Sequence, residues 1–282
     1  WDGNETWLVL GGAGLFAAFP LAYSVVLTAL YLPLIFMLIA LIFRGVAFEF
    51  RFKATDHSRH WWDKAFIGGS IATAFFQGVT LGAYLDGIAV VDRSYAGGAM
   101  DWLSPFSLFT GVGLVIAYAL LGSTWLIMKT DGTLQQRMFR LTRHTIWALL
   151  AVIVILSVWT PLLDERIAER WFSMPNILWF APVPILVVLV ALGLLRSLAS
   201  QRDGAPFVLT LCLVFLGYSG LGISIWPYII PPDITLQQAA GPPQSLGFTL
   251  VGALLIIPII LIYTASGYYI FRHKVRHGEG YH

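Results

Sequence analysis

Two carboxylates, Asp2 and Glu5, stand at the very start of a charge-free run that extends from Thr6 to Phe43. Ionisable groups at a membrane edge mark proton or ion paths, because a carboxylate there can take a proton from water and pass it inward. Asp2 also has the side chain of a helix N-cap, able to accept from exposed N–H groups and to favour the positive end of the helix dipole. Both readings of Asp2 stand on residue type alone. Glu49 follows the second apolar helix and Asp86 the third, and no Asp or Glu falls at the centre of any apolar run.

Redox cofactors in helical membrane proteins are held by His, Met or Cys side chains projecting into the bundle. All six histidines, His57, His60, His144, His273, His277 and His282, fall in connections, at a span edge or in the tail. Met37 and Cys212 lie at depth but each is isolated, and a lone Met or Cys there serves packing. The expectation is a chain that binds no haem by itself. Asp56 with His57 and His60, or His273 with His277, falls short of the four ligands of a structural zinc site, so these groups read as solvated basic segments. There is no GxGxxG after a strand, no Walker loop, no HExxH and no nucleophile constellation. Polar groups inside the apolar runs are few: Ser70, Thr73, Gln77, Thr80, Asn176 and Tyr218. That scarcity argues against the competing class, a secondary transporter or other small-molecule carrier, which would need a polar midplane site and broken helices in matching halves.

The elements that must carry these residues follow from composition. Of 282 residues, 58% are apolar and 11% charged, with a mean hydropathy of +0.77. A soluble domain carries about 25% charged residues, so lipid is the solvent for most of this chain. The run Thr6–Phe43 holds 38 residues, about 57 Å as one helix against an apolar core of about 30 Å. It must therefore be two helices in a hairpin, with the turn at Pro20. Further runs are Ala65–Leu85, Trp102–Met128, Thr145–Leu163, Trp171–Leu195, Gly204–Pro232 and Leu246–Ile270. The predicted fold is all-α, a polytopic bundle of eight transmembrane helices forming one integral-membrane domain over residues 1–282.

Orientation follows from Lys and Arg. Segments 44–64, 129–143, 196–203 and 272–282 hold 14 of the 17 basic residues, and the alternate loops hold only Arg93, Arg166 and Arg170. The positive-inside rule then places the C-terminus in the cytoplasm. Segments 44–64 and 230–245 read as the longest connections. Trp61, Trp62, Trp102, Trp171 and Trp226 fall near span ends, where interfacial aromatics sit. Gly11-Gly12-Ala13-Gly14 and Gly68-Gly69-Ser70 favour close helix approach, within the chain or against a partner. The single cysteine excludes an internal disulfide, and a net charge of +2 provides no broad surface for nucleic acid. The chain opens on Trp1 with no initiating Met and no signal-peptide pattern, and is expected to lack an upstream segment.

The residues also carry a family pattern. Trp1-Asp2-Gly3-Asn4-Glu5-Thr6-Trp7-Leu8, running into Gly11-Gly12-Ala13-Gly14 and Phe19-Pro20, resembles subunit II of the cytochrome bd quinol oxidases, including cyanide-insensitive forms. So do Phe43-Arg44-Gly45-Val46-Ala47-Phe48-Glu49-Phe50-Arg51, Gln77-Gly78-Val79-Thr80-Leu81-Gly82, Trp226-Pro227-Tyr228 and Pro258-Ile259-Ile260-Leu261. The resemblance implies nine helices in the intact protein, the first absent here, in the bacterial inner membrane. It implies a haem-bearing partner, subunit I, carrying haems b and d and the quinol-oxidising loop, and also small single-helix subunits. The complex would oxidise quinol and reduce dioxygen to water with protons drawn from the cytoplasm. On this pattern Asp2, with Glu5 beside it, matches the proton route. Arg44, Glu49 and Arg51 line its entrance or a structural quinone, or anchor the helix end. Trp1 and Trp7 face the partner or pack. Quinone and phospholipid are the expected small-molecule partners.

Overall fold

The computed structural model describes residues 2–275 of the chain, with side chains from Thr6 onward. The first apolar run breaks at Pro20, as predicted, but into three helices rather than a two-helix hairpin: α1 (Asp2–Ala18), α2 (Pro20–Ala29) and α3 (Tyr31–Lys53). Pro20 removes an N–H from the ladder, and Phe19 ahead of it leaves the helical region at φ −136° and ψ 65°. A second break falls at Leu30, three residues before Pro33, whose ring opposes the carbonyl of Ala29. The turn between outgoing α1 and returning α3 is therefore a short helix.

At the other end of α3 the expected long connection 44–64 is helical. α3 continues to Lys53, α4 (Asp56–Asp86) starts three residues later, and only Ala54 and Thr55 join them. The two extensions are zipped by an Arg51–Asp63 ion pair and by stacking of Phe50 on Trp62 at 5.2 Å. Beyond α4, the strands β1 (Val90–Val91) and β2 (Ser94–Tyr95) pair antiparallel across Asp92 and Arg93. Both turn residues have positive φ, 48° and 61°, the handedness that suits a two-residue hairpin.

Next come α5 (Pro105–Lys129), α6 (Gly132–Leu163), α7 (Glu165–Phe172), α8 (Asn176–Phe180), α9 (Pro182–Ala199) and α10 (Ala205–Ile225). The chain then forms β3 (Tyr228–Ile230) and β4 (Ile234–Thr235), an antiparallel pair, and ends with α11 (Leu236–Ala239) and α12 (Pro243–Ile270). The apolar run Gly204–Pro232 is thus helical only to Ile225, because its last part is spent on β3. The run Trp171–Leu195 begins its crossing at Asn176, after the amphipathic α7. Among the described residues seven helical stretches are long and apolar enough to cross a membrane: α3, α4, α5, α6, α8 with α9, α10 and α12. The remaining predicted crossing is α1, 17 residues long, about 25 Å.

Glycines set the closest contacts. A Cβ on Gly82 would lie 2.6 Å from Ser107 Cα, and one on Gly78 2.7 Å from the Thr110 carbonyl. α4 and α5 therefore touch backbone to backbone. Gly69 sits equally close to Ala40 and Arg44 of α3, as its sequence context suggests, whereas Gly11, Gly12, Gly14 and Gly68 have nothing within 4 Å.

Antiparallel packing puts residues 44–64, 130–131, 200–204 and 271–275 at one end of the bundle, called here the basic end. At the opposite end α2, the two hairpins and α11 build one buried cluster that includes Val25, Leu30, Val79, Ile88 and Ile230. Trp102 belongs to it at 7% exposure, so this residue is a core side chain and not an interfacial belt residue as expected. The connections fold back over α2 and cover it. A second cluster, Leu120, Ile127, Ile146, Leu194 and Leu213, joins α5, α6, α9 and α10 nearer the basic end.

Candidate functional site

The first turn of α1 carries Asp2 and Glu5 at the basic end. Their side chains, and all of Trp1, lie outside the described residues. α1 packs against α2 and α12. Trp7 stands on its surface at 39% exposure, and Leu8 and Val9 beside it are more exposed still. This part of α1 is therefore exposed around much of its circumference.

Arg44, Glu49 and Arg51 lie on the last turns of α3, at the same end. Arg44 is partly covered, its backbone forming the seat on which Gly69 rests. Glu49 is exposed. Neither Arg44 nor Glu49 forms a hydrogen bond or ion pair with a described residue through its side chain. Arg51 is committed to Asp63, so it acts as a clasp between α3 and α4. Around them stand Lys64, whose ammonium lies 4.7 Å from the centre of the Trp61 ring, and the adjacent His57 and His60 rings. The surface is cationic and aromatic, suited to the membrane–water boundary.

The described histidines, His57, His60, His144 and His273, are all exposed at bundle ends. Among the described residues no group of three or more His, Cys, Asp or Glu could hold a metal ion. Inside the bundle polarity is satisfied locally: Thr73, Thr80 and Ser70 donate to carbonyls one turn back. The Tyr118 hydroxyl donates to Gln77 Oε1 at 3.0 Å, joining α5 to α4.

Two charged constellations went unread in the sequence. At the basic end Lys274 Nζ bridges Asp131 Oδ1 and Asp203 Oδ2, each at 2.7 Å. Gln135 Nε2 donates both to Asp203 at 3.0 Å and to the Ile127 carbonyl at 2.9 Å. The buried Lys129 donates to the Phe271 carbonyl, and Val275 N donates back to the Lys129 carbonyl at 2.9 Å. The two carboxylates push the Lys274 ammonium above its usual pKa. The segment that follows α12, residues 271–275, is thus strapped across the α5–α6 and α9–α10 connections.

At the opposite end Asp164 caps α7 by accepting from Arg166 N at 2.9 Å, and pairs with its guanidinium. Arg166 also donates to the Pro232 carbonyl at 2.9 Å. Burial would raise the Asp164 carboxyl, but the Arg166 side chain and amide together hold it below its usual range. Only one signal was available beforehand, Asp164 as a potential cap ahead of an apolar-periodic segment; the long-range partners have none.

The family described as cytochrome bd terminal oxidase subunit II has a sequence model that matches residues 1–271. Subunit 2 of the cytochrome bd ubiquinol oxidase of Bacillus subtilis is 27% identical over 289 residues, covering 99% of this chain and 83% of its own. Subunit 2 of the cytochrome bd-I ubiquinol oxidase of Escherichia coli K12 is 30% identical over 310 residues, covering 95% and 80%. Among solved structures, the bd oxidase from Geobacillus thermodenitrificans superposes with a TM-score of 0.68 at 12% identity, covering 91% of this chain and 81% of that one.

Proposed function

Because the chain belongs to the cytochrome bd terminal oxidase subunit II family, we propose that it is the non-haem core subunit of a bacterial quinol:oxygen oxidoreductase. The observation that carries this reading is a family match running through every predicted crossing. The chain buttresses a haem-bearing subunit I and delivers cytoplasmic protons to the site of dioxygen reduction. Haems b and d belong to that partner and supply the electron transfer and oxygen chemistry. This chain's part is to exclude water along a shared wall and to move protons at its edge. Asp2, with Glu5 beside it, receives them at the basic end, which is the cytoplasmic face. Arg44, Glu49 and Arg51 hold the entrance or the head group of a structural quinone. Trp1 and Trp7 face the partner, and phospholipid and small single-helix subunits complete the assembly. No observation on the chain favours the carrier reading.

The test is purification through a tag on this chain from bacterial inner membranes. A haem-bearing partner with quinol-driven oxygen uptake is expected to come with it. A reduced-minus-oxidised spectrum showing stoichiometric haem on the chain separated from every partner would overturn the reading.

A further inference from the structure

The outer face of α6 changes character along its length. On the inner side Phe139, Ile146 and Leu149 are buried against α5 and α9. On the outer side Arg137, Arg140 and Arg143 are exposed, and so are Trp147, Ala151 and Val154 further along the helix. At about 100° per residue these six positions fall within a sector of about 120°, so a basic row runs directly into an apolar one. The charge-free run of the helix starts at Thr145. Along the axis Arg143 lies about 3 Å and Arg140 about 7.5 Å outside that point, a span that matches the head-group layer of about 5–7 Å on each side of a bilayer. Arg137 stands above it, and Trp147 one turn inside, where interfacial aromatics belong.

The row has no counter-charge of its own. None of the three guanidinium groups has a hydrogen-bond or ion-pair partner among the described residues. α6 contains no Asp or Glu, and Asp131 ahead of it and Asp203 are both held by Lys274. His144 turns back on the helix, its Nδ1 donating to the Arg140 carbonyl at 2.8 Å. Like charges one turn apart on a helix repel, so an anion lying across the row stabilises it. Phosphate suits paired guanidinium groups, which offer it parallel N–H donors. A zwitterionic head group would bring its ammonium against Arg137 with no carboxylate of α6 to receive it. An uncharged polyol beyond the phosphate meets no such repulsion, and the apolar row below accepts acyl chains.

We infer that this face of α6 binds an anionic lipid of the phosphatidylglycerol type, its phosphate between Arg140 and Arg143 and its glycerol head toward Arg137. The acyl chains lie along Trp147, Ala151 and Val154. The inference needs only that α6 crosses a membrane, so it stands apart from the oxidase and proton-delivery reading.

The experiment uses the purified assembly that contains this chain, stripped of lipid and titrated with dioleoyl phosphatidylglycerol, phosphatidylethanolamine or phosphatidylcholine in mixed micelles. Occupancy is followed by native mass spectrometry. Phosphatidylglycerol is expected to bind about tenfold more tightly than the other two, as the attraction of a few basic groups to an anionic head group allows. Arg140→Gln/Arg143→Gln is expected to remove that preference. Arg196→Gln/Arg202→Gln, which takes the same charge from the same end of the bundle, is expected to leave it intact. Equal binding of the three lipids by the unaltered assembly would overturn the proposal. So would an equal loss of preference in both double variants, since the attraction would then belong to the whole basic end. Cross-linking of an Arg140→Cys variant to another protein chain in the lipid-saturated assembly would also overturn it, because the face would then be a protein contact.

Discussion

Asp2 and Asp164 illustrate how differently two carboxylates are read. Asp2 is conspicuous in the sequence because, with Glu5, it stands just ahead of a charge-free run long enough for a whole crossing, so its candidacy was legible; its role as cap or relay was not, since both use the same oxygen atoms. Asp2→Asn in the whole oxidase is expected to slow oxygen uptake at saturating quinol while haem content stays normal. Unchanged turnover would leave only the cap. Asp164 needed the fold, because Pro232 and Tyr228, which position its partner Arg166, lie far along the chain. With its folded pKa depressed, Asp164 contributes stability above the unfolded value of about 4 and loses it as pH falls through the lower folded value. Asp164→Asn is therefore expected to flatten the acid limb of thermal stability measured below about pH 4. The loss near neutrality should stay under about 1 kcal/mol, because the pair is partly exposed.

Helices were legible where charge brackets an apolar run, which is why α5 and α12 fall close to the predicted runs and α4 and α6 contain them, although α4 and α6 begin earlier, inside the basic segments 44–64 and 129–143 that were read as connections. What charge could not show was the state of the polar ends. The segment 44–64 looked like a loop because it is charged, yet charge is compatible with a helix that outruns the membrane and pairs with its neighbour through Arg51 and Asp63. Glycine was similarly ambiguous. Gly82 is wedged against Ser107 whereas Gly12 meets nothing within 4 Å, although both sit in apolar helices. Gly82→Ala should part α4 from α5 and lower stability by about 1–3 kcal/mol, the usual range for overpacking. Gly12→Ala should leave the thermal unfolding of the chain by itself within about 1 kcal/mol of the original. If the two substitutions behaved alike in a differential scanning measurement, the close approach of α4 to α5 would be refuted.

On the scale of the molecule, the alternation of basic and non-basic ends was read from 17 residues, and the antiparallel packing is in step with it. Fusing a fluorescent protein that matures only in the cytoplasm to the C-terminus should give fluorescent cells, and dark cells with normal chain levels would invert the topology. Long-range fastenings were invisible beforehand because a lysine and two aspartates at the ends of different apolar runs carry no mutual signal. Lys274 shows the cost of that blindness. Its pKa is raised by Asp131 and Asp203, so its contribution is complete below the unfolded value and fades as pH rises through the folded one. The strap should accordingly loosen at strongly alkaline pH, and Lys274→Met should remove that dependence from a limited-proteolysis profile.

The strap has a consequence for how long the protein survives in a cell. None of the most apolar stretch of α12 is buried within the chain. One end of the helix is fastened through the Gly241 N–H to the Ala18 carbonyl at 2.8 Å, the other through Lys129 and Lys274. A newly made copy without its partners holds α12 by these end fastenings, by its packing against α1 and by the Trp125–Tyr268 ring contact. Releasing either end fastening exposes a loose segment of the kind that quality-control proteases seize, since degradation tracks the population of locally opened states. The abundance of unassembled copies would then be set by the tail, long before the stability of the core is tested.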